Sequence, residues 1–166
     1  MEMTWDDITV GQWMAFCDSG AVSEDDTVRE WAALTGLASD DEIDAMTLED
    51  IDALKSRMSF LWTPMESEFR KEVTVDGVEY VFEENLHSMK FGAWTDMEHW
   101  IGEGVQKTLP QLLAIFWRPR GEAYDGAKAA ARVEAMRKMP VTDAHATSVF
   151  FCDFATAYTR ISRTSS

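Results

Sequence analysis

The sequence predicts a mainly α-helical protein of α+β class, in which two related three-helix units flank one central β-hairpin. Three observations predict it. Apolar residues recur at helical spacing through both ends of the chain. The period changes to two around Asp76-Gly77. A stretch of the first half also overlays the second half at a fixed offset. With 166 residues and 18.8 kDa, the chain suits one domain or two very small ones. The pattern divides it into an acidic helical unit over 1–64, the hairpin segment over 65–86 and a second helical unit over 87–166, together forming one compact domain.

Thr9 is placed to cap a helix from Val10 to about Asp18, with Gly20 as its stop. Val10, Trp13, Met14 and Cys17 make its apolar stripe. Ser23-Glu24-Asp25-Asp26 opens a second helix, with acids where its dipole favours them. Val28, Trp31, Ala32 and Leu34 to Thr35 mark its buried side, and Gly36 ends it. Ser39-Asp40-Asp41-Glu42 reads as a capping box before a short helix ending near Met46. Thr47-Leu48-Glu49-Asp50 starts another helix, with Ile51, Leu54, Met58 and Leu61 on one face, closed by Trp62-Thr63-Pro64. Asp-Gly supplies the two positive-φ positions of a tight hairpin, so strands are expected at about 69–75 and 78–83. Helices resume from Phe91 to Ile101, closed by Gly102 and Gly104, and from Leu109 to Trp117, with Pro110 in the first turn. Arg118-Pro119-Arg120-Gly121 reads as a stop and turn, Ala127–Lys138 as one Ala-rich helix, and Pro140-Val141-Thr142-Asp143 as the start of a last helix to about Arg160.

Residues 8–36 moved forward by 81 overlay 89–117 without a gap. Gly11 meets Gly92, Trp13 meets Trp94, Val28 meets Leu109 and Trp31 meets Leu112. After a 12-residue insertion the offset becomes 93, so that Met46 meets Met139, Asp50 meets Asp143, Ile51 meets Ala144, Met58 meets Phe151 and Leu61 meets Phe154. Each unit alone is too small to bury much core, so the two either share one, with tryptophans between them, or form two lobes.

Hydrophobic residues are 46% and charged residues 27% of the chain, which excludes a wholly disordered or fibrous protein. No apolar run approaches the roughly 18 residues of a membrane span. The acidic start Met1-Glu2-Met3-Thr4-Trp5-Asp6-Asp7 argues against a signal peptide. Two cysteines cannot form a disulfide scaffold. Residues 1–70 carry 17 acidic and 4 basic residues, a net of −13, while residues 71–166 carry 13 and 11, a net of −2. Such a surface repels nucleic acid and anionic lipid, so neither is an expected partner. It serves solubility or attracts a basic partner.

No catalytic, metal or cofactor-binding residue is expected, and the chain reads as no enzyme. His87, His99 and His145 are scattered, and Asp40-Asp41-Glu42-Ile43-Asp44 lacks the EF-hand glycine. No Gly-x-Ser-x-Gly elbow occurs, and Gly102-Glu103-Gly104 lacks the rest of a phosphate loop. Cys17 and Cys152 fall on apolar helix sides and read as buried structural thiols, the alternative being a pair with His99 or His145. Seven tryptophans are many for this length. Most should fill the core, Trp13 and Trp94 among them. Trp5, Trp62 and Trp100 are candidates for an aromatic anchor patch that binds a partner. The loop Arg118–Asp125 is either a structural corner or a contact loop, in which Arg118, Arg120 and Tyr124 would meet a partner's carboxylates.

Several short words recur together: Asp7-Ile8-Thr9-Val10-Gly11-Gln12-Trp13, Ala33-Leu34-Thr35-Gly36-Leu37, Asp41-Glu42-Ile43 and Leu48-Glu49-Asp50-Ile51. The hairpin, Leu86-His87, Phe91-Gly92-Ala93-Trp94, Leu113-Ala114-Ile115-Phe116, Arg118-Pro119, Tyr124-Asp125 and Val149-Phe150-Phe151 follow. In this order the chain resembles small tail-region proteins of tailed bacteriophages, of the tail assembly chaperone-like kind, over most of 7–154. The resemblance implies a mostly helical protein in the cytoplasm of an infected bacterium, acting in virion assembly by binding the tape-measure or tube protein, or staying in the virion as a minor component. It supplies no catalytic residue. Two alternatives stay open. One is a virion structural subunit of the tail or head–tail region, as a homo-oligomer with a symmetric ring contact. The other is an acidic inhibitor of a host protein.

Overall fold

In the computed structural model, residues 2–83 and 88–150 are described. After a 3-10 turn at Trp5–Asp7 come α1 (Val10–Ser19), α2 (Glu24–Thr35), α3 (Asp40–Asp44) and α4 (Leu48–Arg57), and then a 3-10 turn at Ser59–Trp62. Strands β1 (Glu72–Val75) and β2 (Val78–Phe82) precede α5 (Phe91–Glu103) and α6 (Leu109–Phe116). Strand β3 (Trp117–Pro119), α7 (Gly126–Ala131) and α8 (Val133–Arg137) follow, and α9 occupies 141–150. The fold is mainly helical with a small antiparallel sheet, as the periodicities require.

The first helices begin where side chains can take up their orphan N–H groups. Thr9 Oγ1 accepts from the Gln12 N–H (3.2 Å), and Gln12 Oε1 accepts from the Thr9 N–H (2.9 Å). Ser39 with Glu42 and Thr47 with Asp50 repeat this reciprocal box, while Ser23 caps α2 through the Asp26 N–H. The hairpin turns on Asp76 (φ 50°) and Gly77 (φ 78°), the two positive-φ residues the sequence requires.

A third strand extends the hairpin. Residues 117–119 form β3 rather than a helix end and turn, pairing Phe82 with Trp117, Val81 with Arg118 and Tyr80 with Pro119. Pro119 forces the residue before it out of helical conformation, and as an edge residue it needs no ladder donor. The Ala-rich run is also two short helices, not one. It breaks at Arg132, whose buried guanidinium turns inward to donate to the Trp117 carbonyl (3.1 Å) and to Glu122.

Two apolar cores result. The first surrounds Trp31, stacked on Phe16 (4.8 Å between centroids) and edged by Trp5 and Phe60, with Val28, Ile43, Leu54 and Met58. The second surrounds Trp117 and α6, roofed by the inner sheet face of Val73, Val75, Tyr80 and Phe82 and floored by Ala93, Met97 and Met136. Trp13 and Trp94, expected at full depth, are only half-buried, whereas Trp31 and Trp117 are completely enclosed. Cys17, expected to be buried, is exposed on α1. Cys152, His87, Phe151, Phe154 and the end of the last helix lie outside the described residues.

The units interlock at one antiparallel bridge, Thr9 with Pro140. The Val10 N–H donates to the Met139 carbonyl (2.9 Å), and the Val141 N–H donates to the Ile8 carbonyl (2.8 Å). Val10 then packs in the second core and Val141 in the first. Arg70 adds a bidentate clamp on buried Asp143 (3.0 and 2.7 Å), and the Thr142 hydroxyl donates to Asp6 (2.6 Å). The repeat offsets survive in the element bounds. The starts of α1 and α5 lie 81 apart, as do the ends of α2 and α6, and the starts of α4 and α9 lie 93 apart.

Candidate functional site

A groove of about 660 Å³ opens between α5, α6 and α7. One turn of α5 brings Asp96 and Trp100 to it, α6 contributes Gln111 and Ile115, and the 121–125 loop contributes Tyr124. The Tyr124 hydroxyl donates to the Asp96 carboxylate. Burial, and then this bond, push the phenol well above its ordinary pKa, so it stays a neutral donor. Gly126 makes the close approach work. A Cβ there would sit 3.3 Å from Asp96 Oδ2 and 3.8 Å from the Tyr124 oxygen. Asp125 caps α7 by accepting from the Lys128 N–H (3.0 Å), and the backbone bonds hold its carboxyl below the usual range.

The Arg118–Asp125 loop is built as a corner. Arg118 lies 6.0 Å over the Tyr124 ring, donates to the Ile115 (3.1 Å) and Glu122 (3.2 Å) carbonyls, and pairs with Glu83. Arg120 pairs with Glu72 and Glu79 (2.6 Å) across the outer sheet face, and its pKa rises accordingly. Both guanidiniums are therefore engaged within the chain, because β3 sets them opposite acids of the hairpin.

Among the sequence candidates, Trp100 and Tyr124 share the groove, with Arg118 behind Tyr124. Trp5 and Trp62 belong to the edge of the first core. Trp5 is half-buried and its indole N–H donates to the Thr63 carbonyl (3.2 Å), while Trp62 is 51% exposed. Sequence reasoning passed over Gln111. Its Oε1 is buried and has no hydrogen-bond partner among the described residues. A signal was present, since Gln111 is the single polar residue of Leu109–Phe116. An unmet buried acceptor costs about 1–3 kcal/mol, and a ligand donor would relieve that cost.

Among the described residues, no cluster of three His, Cys, Asp or Glu could hold a metal ion, and no helix is long and apolar enough to cross a membrane. The groove offers the aromatic faces of Trp100 and Tyr124, the apolar side chains of Ile115, Ala129 and Val133, and the carboxylates of Asp96 and Glu134, with Gln111 on its α6 side. No family model matches the chain, and neither does any curated protein or solved structure compared with it.

Proposed function

We propose that the chain is a non-enzymatic assembly protein of a tailed bacteriophage, binding a segment of a tail component, the tape-measure or tube protein, in the groove between α5, α6 and α7. The observation that carries the reading is a groove walled by Trp100 and Tyr124, with the unpartnered Gln111 Oε1 buried in its α6 wall. Aromatic walls supply contact area at low entropic cost, and a segment that inserts far enough to bring an N–H or hydroxyl to Gln111 would satisfy its acceptor. The phage-like order of short sequence words supplies the class of partner. In this reading the protein works in the cytoplasm of the infected bacterium. The alternative of an acidic inhibitor draws less support, because many acids of residues 1–70 already serve the fold. Glu42 and Asp50 close capping boxes, Asp40 and Asp44 pair with Arg29, and Glu24 pairs with Lys55.

The test is capture from infected cells with tagged wild type, Trp100→Ala and Gln111→Leu. Wild type should retain a tail protein, and both variants should lose at least ten-fold of it. Gln111→Leu should leave the melting temperature unchanged or higher, since it removes the unmet acceptor. Equal capture by all three chains would contradict this groove as the site.

A further inference from the structure

Two large apolar side chains stand in solvent at helix starts. Leu48, the first residue of α4, is 86% exposed, and Phe91, the first residue of α5, is 80% exposed. The internal repeat identifies their counterparts. The offset of 81 carries Val10 onto Phe91, and the offset of 93 carries Leu48 onto Val141. Val10 and Val141 are 0% and 3% exposed, and they flank the Thr9–Pro140 bridge. Each is the first residue of its helix, where the N–H has no intrahelical acceptor. Each donates across the bridge instead, Val10 to Met139 and Val141 to Ile8. The counterparts of Ile8 and Met139 are Met89 and Met46. The chain thus holds both halves of a second junction, Met46-Thr47-Leu48 and Met89-Lys90-Phe91, and among the described residues no bridge joins them.

We propose that these two edges meet between copies, Met89–Phe91 of one chain bridging Met46–Leu48 of a second, in the pattern that Thr9 and Pro140 make within one chain. The local chemistry agrees. In the existing junction one side is a threonine in a capping box, Thr9 with Gln12, and the other, Pro140, has no capping hydroxyl. In the proposed one, Thr47 holds its box with Asp50, and Lys90 makes no side-chain cap bond. The bridge leaves the box undisturbed in the first case and would do so in the second. Charge agrees as well, for Lys90 adjoins Phe91, Glu49 adjoins Leu48, and the surrounding unit is strongly acidic. The contact is head to tail. Each copy spends one edge and keeps the other, so the assembly propagates into a ring or a screw. It stands apart from the groove and does not depend on which partner the groove takes.

Light scattering after size exclusion tests it with four samples: wild type, Leu48→Asp, Phe91→Asp, and an equimolar mixture of the two variants. Both positions are exposed first-turn sites where an acid suits the helix dipole, so unchanged melting is expected and serves as the folding control. Wild type should grow with concentration beyond the mass of two chains. Each variant should stay at one chain. The mixture should reach two chains and stop, because only one intact edge of each kind remains. Wild type at the mass of one chain up to its solubility limit would overturn the proposal, as would a single variant that still self-associates or a mixture that does not.

Discussion

The two helical units share their phasing and differ in how they hold it. The first closes its helices with side chains: Thr9, Ser23, Ser39 and Thr47 each accept from the backbone of a following turn, three of them in reciprocal boxes. The second does so at α7 alone among its helices α5–α8. Lys90 and Thr108 make no cap bond at the starts of α5 and α6, and α6 is held by enclosure instead, with seven of its eight residues buried. Its Arg118 and Arg132 turn inward onto carbonyls and acids, whereas the first unit spends acids at helix starts. The acids at those helix starts lie within residues 1–70, whose net charge is −13, against −2 for residues 71–166. One helical pattern is thus kept by local capping in one half and by burial in the other.

The largest effects are expected at the two enclosed tryptophans. Trp117→Ala should cost about 3–5 kcal/mol in urea denaturation, as large aromatic truncations do. It also removes the indole N–H that donates to the Thr147 hydroxyl (3.1 Å), which keeps its own bond to the Asp143 carbonyl (2.8 Å). Trp31→Ala should cost a similar amount, and half-buried Trp13→Ala and Trp94→Ala distinctly less. A single shared transition in each case would show that the two cores unfold together, and a split transition would show that they do not.

Asp143→Asn comes next. The carboxylate is buried and clamps Arg70, which is itself half-exposed and can rehydrate, so a loss of about 1–3 kcal/mol is expected from chemical denaturation. Its repeat counterpart Asp50 is spent on capping, because Thr47 stands where α9 has Pro140. The same repeat position therefore serves local closure in one unit and long-range clamping in the other.

Cap removal should be the smallest effect and should fall on one unit. Ser39→Ala or Thr47→Ala should each cost about 1 kcal/mol, and Lys90→Ala close to nothing. The Thr47 backbone and hydroxyl hold the Asp50 carboxyl below its usual range. A lowered folded-state pKa means stability that is complete above the unfolded aspartate value of about 3.9 and is lost as pH falls through the folded one. Thr47→Ala removes the hydroxyl but keeps the backbone N–H, the larger of the two causes, so it should flatten the acid limb of a melting profile below about pH 4 only slightly; Asp50→Asn should flatten it more, and an unchanged limb in Asp50→Asn would contradict the assignment.

What could be read from the sequence was what is local. The Asp76-Gly77 turn, the Thr9, Ser39 and Thr47 starts and the Gly20 and Gly36 stops each depend on a few adjacent residues, and each stands where the residues put it. The misses are long-range. Three residues are too few to show a period of two, so β3 depends on Phe82, 35 positions before Trp117. An Ala-rich run gives no sign that Arg132 will turn inward to the Trp117 carbonyl. The tryptophan pair matched by the repeat did not rank by depth, because depth depends on which face the other unit covers. Of the groove, Trp100 and Tyr124 were legible by residue type, while Gln111 needed its helix to be seen as wholly buried.

The most direct measurement is mass spectrometry of a tagged pull-down from infected cells with purified virions run beside it. A tail-assembly role predicts a tape-measure or tube protein in the pull-down and this chain absent from finished particles. A host protein as the sole capture, or this chain at fixed copy number in the virion with no tail protein captured, would contradict it.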